Sequence, residues 1–162
     1  MSTLIVLGYP SEAEAKSAYQ KILDLDKNLI VSLQSVAVVA RRADGKYDVV
    51  TPGSKVGTSA VWGLFWGMLF GLIFLIPFWG AAIGAGLGAL TGFFVKRGVD
   101  EDFQDRVRNL LTQKDEAAVF MVVSSMTEDK FAEAMRPFGG DILQTSLSIK
   151  DEEELKHELF KN

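Results

Sequence analysis

Residues Val56–Val95 read VGTSAVWGLFWGMLFGLIFLIPFWGAAIGAGLGALTGFFV, forty positions without one charged side chain. Gly63, Gly67 and Gly71 recur at every fourth position, as do Gly80, Gly84, Gly88 and Gly92, and Pro77 lies between the two series. A spacing of four stacks small residues on one face of a helix, where a second backbone can approach closely. The pattern predicts a glycine-zipper helical hairpin with arms Ala60–Ile76 and Phe78–Val95 and its turn at Pro77. Glycine costs about 1 kcal/mol relative to alanine in an exposed helix, so seven in register predict a compensating close contact. Ala81, Ala85 and Ala89 widen the small face of the second arm. That extra width predicts a homo-oligomer joined through this arm.

Each arm, at ~1.5 Å per residue, is about 26 Å long against a hydrocarbon core of about 30 Å. Three placements follow: a locally thin bilayer, a tip that reaches the far interface, or a re-entrant wedge. The tip, Leu72–Trp79, carries no strongly polar side chain. This favours a tip at or just below the far interface, with Trp79 as its anchor. Lys55 precedes the segment and Lys96 and Arg97 follow it, so the base is positive. A positive base fits the cytoplasmic side of an inner membrane and attracts acidic headgroups. Trp62 and Trp66, four residues apart near the start of the first arm, are expected in an interfacial aromatic belt.

On either side the chain changes character. Thr3–Leu7 reads as a buried strand. Ser11 and Glu14 form a capping box for a helix whose apolar face is Ala15, Ala18, Tyr19, Ile22, Leu25 and Leu29. Ser35–Arg42, the turn Asp44-Gly45 and Tyr47–Thr51 predict a β-hairpin. Beyond the uncharged stretch, Val99, Phe103, Val107, Leu110 and Leu111 mark an amphipathic helix with an acidic first turn. Ala117–Val123 (AAVFMVV) is apolar throughout, as in a central strand covered on both faces. Thr127 caps a helix that presents Phe131, Ala134, Met135 and Phe138 and ends at Gly139-Gly140. Leu143, Thr145, Leu147 and Ile149 alternate as a half-buried strand, and Asp151–Phe160 predicts a last short helix with Leu155 and Leu159 inward.

The expected fold class is therefore α+β. The first six elements outside the insertion, β-α-β-β-α-β, match a ferredoxin-like sandwich with further βα elements appended. Residues 1–55 and 98–162 form the two halves of a cytoplasmic domain, and residues 56–97 form the hairpin between them.

Composition narrows the chemistry. The formal net charge is −4, so nucleic acid is not an expected partner. The chain has no cysteine and one histidine, His157, which removes thiol catalysis and any multi-histidine metal site. His157 lies among charged residues and reads as a solvated side chain. Gly84-Ala85-Gly86-Leu87-Gly88-Ala89 matches a dinucleotide fingerprint in letters only, since no strand precedes it. Ser124-Ser125 lacks a nucleophile elbow, and Asp24 and Asp26 point to different sides of a helix end. Arg41-Arg42 would bind phosphate or headgroups if the sheet edge faced the membrane, but the favoured reading is a solvated edge charge that blocks aggregation. No catalytic constellation and no cofactor is expected.

The segments LIVLGYPSEAEAKSAY, VAVVARRADGKYDV, WGLFWGMLFGLIF, IGAGLGALTG, VDEDF and DILQTSLS, in this order, resemble a bacterial family. It is number twelve-sixty-nine among the domains of unknown function, a group of predicted membrane proteins. The resemblance covers nearly the whole chain. It implies membrane association without assigned activity, in a group discussed with general stress proteins, and it supplies no catalytic residues.

The functional expectation is a non-enzymatic protein anchored in the lipid bilayer. It self-assembles through its α+β domain and its zipper, and the assembly scaffolds or shapes membrane. The alternatives are a closed soluble oligomeric shell that buries its hairpins and a small-ligand-binding regulatory module. A pore is disfavoured because the hairpin has no charge, Asn or Gln to line a water path.

Overall fold

Strand β4, Ala117–Met126, runs through the centre of a five-stranded antiparallel sheet. All seven residues from Ala117 to Val123 are buried, on alternating faces. The computed structural model describes residues 2–42, 47–50, 65–66, 69–70, 73, 98–114 and 116–147. Around β4 stand β1 (Ser2–Tyr9), β2 (Val31–Arg41), β3 (Tyr47–Val50) and β5 (Asp141–Leu147), in the spatial order β3-β2-β4-β1-β5. The helices are α1 (Glu12–Lys27), α2 (Glu101–Asn109), which continues as a π-helical turn over Leu110–Lys114, and α3 (Glu128–Met135), which tightens into a 3-10 turn at Arg136–Phe138. The expected α+β class holds, and both halves of the chain contribute strands to one sheet.

The strand order corrects the expected assembly. Consecutive order of the first six elements would place β3 inside the sheet. Among the described residues β3 instead pairs with β2 alone, at an edge. The interleaved units are β1-α1-β2, with β4 between its strands, and β4-α3-β5, with β1 between its strands. The physical reason is burial. AAVFMVV is apolar on both faces and takes the centre, whereas the four-residue β3 can be spared to the edge.

Each sheet face has its own core. On one side α1 and α3 cover Ile5, Leu7, Tyr9, Val36, Val38, Val119 and Met121. On the other, α2 lies over Leu4, Val6, Ala37, Val39, Ala118, Phe120 and Val122. Val31 and Leu33 of β2 point to the first core, but so do Val36, Val38 and Ala40. The parity changes because the β2–β4 register slips at Gln34, a β-bulge. The slip turns Ser35 toward the second core.

The local signals read from sequence are present in part. Ser11 Oγ accepts the Glu14 N–H at 3.3 Å and begins α1. Asp100 Oδ1 accepts the Phe103 N–H at 2.9 Å and begins α2. Thr127 stands at the start of α3 without a side-chain cap bond. Leu29, expected on the apolar face of α1, has φ +61° and is exposed, because the helix ends at Lys27. The turn Asp44-Gly45 and the helix Asp151–Phe160 lie outside the described residues.

Candidate functional site

The place where the uncharged segment meets the domain is built from five helical residues, Phe65, Trp66, Leu69, Phe70 and Ile73. Their spacing of one, three and four puts them on a single helix face. All five are buried against the second core. Trp66 stacks on Phe70 with ring centroids 5.5 Å apart, and both rings meet Phe120 edge-on, at 6.3 and 4.9 Å. The indole Nε1 of Trp66 donates to Ser35 Oγ over 2.7 Å. A buried indole N–H without a partner costs about 1–3 kcal/mol, and the β2 bulge supplies that partner.

This corrects two expectations. Trp66 is 2% exposed and lies in the protein core, not in an interfacial belt. Phe65, Leu69, Phe70 and Ile73, expected to stand in lipid as part of the first arm, pack against the sheet beside Trp66 instead. The reason is that the sheet is apolar on both faces, and α2 alone does not seal the second one. Among the described residues, no helix is long and apolar enough to cross a membrane.

A polar group closes the edge of this contact. Arg108 of α2 donates from Nε to the Ile73 carbonyl at 2.6 Å. Its Nη1 pairs with Asp105, and its Nη2 donates to Gln104 Oε1 at 3.4 Å. Gln104, itself 2% exposed, donates from Nε2 to the Val99 carbonyl at 3.0 Å. Thr145 Oγ1 of β5 donates to the Gly98 carbonyl at 2.8 Å. The carbonyls on both sides of residues 74–97 are thus held by side chains of the domain. Farther along α2, Thr112 Oγ1 donates to the Arg108 carbonyl at 2.7 Å, and Arg41 Nη1 donates to the Thr112 carbonyl at 2.8 Å. The widened turn at Leu110–Lys114 is therefore tied to β2.

Sequence reasoning did not single out Ser35, Gln104 or Arg108. One signal for Arg108 was present. Pro77 has no N–H, so a helix running through it would leave the Ile73 carbonyl, four residues earlier, without its donor. Of the residues that were singled out, Gly63, Gly67, Gly71, Gly80, Gly84, Gly88, Gly92, Pro77, Lys55, Trp62, Trp79, Lys96 and Arg97 lie outside the described residues. Arg42, read as a solvated edge charge, donates to Asp48 at 2.6 Å and to Glu12 at 3.2 Å. Those two hydrogen bonds, the one to Asp48 first, raise its pKa above the ordinary guanidinium value.

One polar atom sits oddly in the opposite core. The Tyr9 hydroxyl is buried and, among the described residues, is the side-chain polar atom left without a hydrogen-bond partner. Desolvation pushes its pKa up to about 12. Among the described residues no group of three or more His, Cys, Asp or Glu could hold a metal ion.

A family model described as "Protein of unknown function (DUF1269)" matches residues 60–160. No curated protein and no solved structure matches the chain. The chain belongs to the DUF1269 family.

Proposed function

We propose that this member of the DUF1269 family is a non-enzymatic, membrane-associated protein that self-assembles, its α+β domain forming a base for an apolar, glycine-patterned segment in the lipid bilayer. The observation that carries the reading is the length of uncharged chain left over once the core is complete. The domain uses Phe65, Trp66, Leu69, Phe70 and Ile73 in its second core, yet the chain runs on without a charge from Phe74 to Val95. Four of the seven zipper glycines fall in that remainder, at Gly80, Gly84, Gly88 and Gly92. Apolar surface of this extent needs lipid or copies of itself to leave water. Lys96 and Arg97, immediately after it, and Lys55, before the segment, favour a base on acidic headgroups at the cytoplasmic face of the inner membrane.

The base itself we read as ferredoxin-like. Its units are β1-α1-β2 and β4-α3-β5, with β3, the uncharged segment and α2 inserted between the second and third strands of the pattern. The edges β3 and β5 are the places for lateral contact between copies. Many copies side by side, each with a broad base and an apolar insertion, would scaffold or curve the membrane.

Alkaline carbonate extraction of membranes from the producing cell, followed by sizing in mild detergent, tests this reading. Recovery in the membrane pellet and a defined oligomer are expected. Gly84→Leu combined with Gly88→Leu should reduce that oligomer to a monomer. A lipid-free closed particle in the soluble fraction would favour the shell instead, with the apolar segments gathered in its interior. A lipid-free monomer would sink both.

A further inference from the structure

We propose that the sheet end formed by Leu29, Ile30, Leu33 and Met126 is an apolar rim that rests on the lipid surface, with Leu29 inserted at the boundary between headgroups and acyl chains. This inference rests on the membrane reading above and names the face of the domain that meets the bilayer. Leu29 is 87% exposed and has φ +61°. It closes α1 in a Schellman turn. The Ile30 N–H donates to the Leu25 carbonyl at 2.9 Å, and the Leu29 N–H donates to the Asp26 carbonyl at 3.2 Å. Glycine or asparagine suits that left-handed position, and leucine is strained there. A leucine side chain in water is also unfavourable. Two costs therefore meet at one residue, and contacts within the domain offset little of either.

Leu29 does not stand alone. Ile30, Leu33 and Met126 are half-buried at the same end of the sheet, on the margin of the first core. They come together because the Thr127 N–H donates to the Ile30 carbonyl at 2.8 Å and Val31 pairs with Met126. On the next rung Ser32 pairs with Ser125, and both are exposed and uncharged. Charges beside the rim are mixed, with Lys27 at the end of α1 and Glu128 and Asp129 at the start of α3. The rim therefore contributes apolar insertion, not attraction to headgroups.

Lipid is the occupant that the neighbouring chain favours. β3 runs from Tyr47, opposite Arg41, to Val50, opposite Val38. The chain thus leaves the sheet for the uncharged segment heading toward the rim. It returns at Gly98, whose carbonyl is held by Thr145. Thr145 shares a rung with Leu4, Val122 and Ser35, in the half of the sheet that ends at the rim. Lys55 follows the first of these junctions and Lys96 and Arg97 immediately precede the second, and such residues attract acidic headgroups. Ile142, 57% exposed, lies on the rung of Leu7, Val119 and Val38. That rung is roughly 20 Å from the rim along the strands, so Ile142 should stay in water.

The chain has no cysteine, so single cysteines can carry a reporter. Ser32→Cys at the rim and Ile142→Cys away from it are labelled with a fluorophore. Each full chain is reconstituted, domain outward, in vesicles of phosphatidylethanolamine and phosphatidylglycerol. Quenching by bromine on the acyl chains reads contact with lipid, and quenching by iodide reads contact with water. The Ser32 label should be quenched by bromine and shielded from iodide, and the Ile142 label the reverse. Leu29→Asn in the Ser32→Cys background should lose most of the bromine quenching while its melting temperature rises, since asparagine relieves the left-handed position. Unchanged quenching in that variant, or a lower melting temperature, would overturn the role of Leu29. A Ser32 label open to iodide would overturn the rim while leaving membrane association intact. A label shielded from iodide and untouched by bromine would mean that protein covers the rim, a second copy or another part of the chain, and would overturn it too. Failure of the protein to enter vesicles would remove the membrane reading and this inference with it.

Discussion

Trp66 and Ser35, thirty-one residues apart in sequence, share a buried hydrogen bond of 2.7 Å between the indole Nε1 and the serine Oγ. The bond joins the start of the uncharged segment to the bulged strand β2. It shows that the segment's first described residues belong to the domain. Ser35→Ala leaves the indole N–H buried without a partner, and a loss of about 1–3 kcal/mol is expected in chemical denaturation. In a double-mutant cycle with Trp66→Phe the two changes should be strongly non-additive. Additive losses would mean the two side chains do not act as a pair.

Phe120 lies under both Trp66 and Phe70. Phe120→Ala opens the second core and should cost about 3–5 kcal/mol. Amides of Phe65, Trp66, Leu69, Phe70 and Ile73 should exchange faster with solvent in this variant, as measured by hydrogen–deuterium exchange. Unchanged protection there would place the aromatic cluster outside what holds the segment on the sheet.

Tyr9 carries a buried hydroxyl without a partner. Tyr9→Phe should raise stability near neutral pH by about 1 kcal/mol, since an unsatisfied group is removed. Burial pushes the Tyr9 pKa from 10.0 up to about 12, so the folded protein holds the proton more tightly than the unfolded chain. The stability linked to that difference is intact below pH 10 and is lost as pH rises through 12. The Tyr9→Phe protein should therefore lose less stability over this alkaline interval than the parent. Parallel thermal melts across pH 9–12 check the difference, and coincident slopes would contradict it.

Gly139 and Gly140 both have positive φ, +66° and +90°, but their surroundings differ. A Cβ on Gly140 would lie 2.5 Å from the Gly8 carbonyl oxygen and 2.9 Å from the Tyr9 ring, whereas one on Gly139 meets nothing within 4 Å. Gly139, at φ +66° and ψ −142°, has an extended positive-φ backbone that glycine alone takes readily, so Gly139→Ala should cost about 1–3 kcal/mol for the backbone alone. Gly140→Ala should cost clearly more, because backbone on β1 blocks the added carbon. Equal melting temperatures for the two variants would refute the distinction.

Much of the fold was legible residue by residue. The apolar run Leu4 to Leu7, the spacing of Ala15, Ala18, Tyr19, Ile22 and Leu25, and the all-apolar AAVFMVV are local patterns, and each became the element it implies. Strand neighbours were not legible in the same way. Whether β3 or β4 lies beside β1 depends on which faces must be covered, and that is a property of the assembled sheet. The bulge at Gln34 breaks a pattern by one residue, and its consequence, Ser35 turned toward Trp66, lies thirty-one positions away.

The amino-acid order alone determined that forty consecutive residues carry no charge, that glycines recur within them every fourth place, and that Pro77 carries no backbone donor. These are facts of covalent chemistry and helical period. Tertiary structure decided where that stretch divides. A doubly apolar sheet needs two covers, so Phe65, Trp66, Leu69, Phe70 and Ile73 were drawn into the core, and Arg108 took the Ile73 carbonyl. An apolar helix face is equally content on lipid or on protein. Only the presence of a matching uncovered sheet face chooses between them.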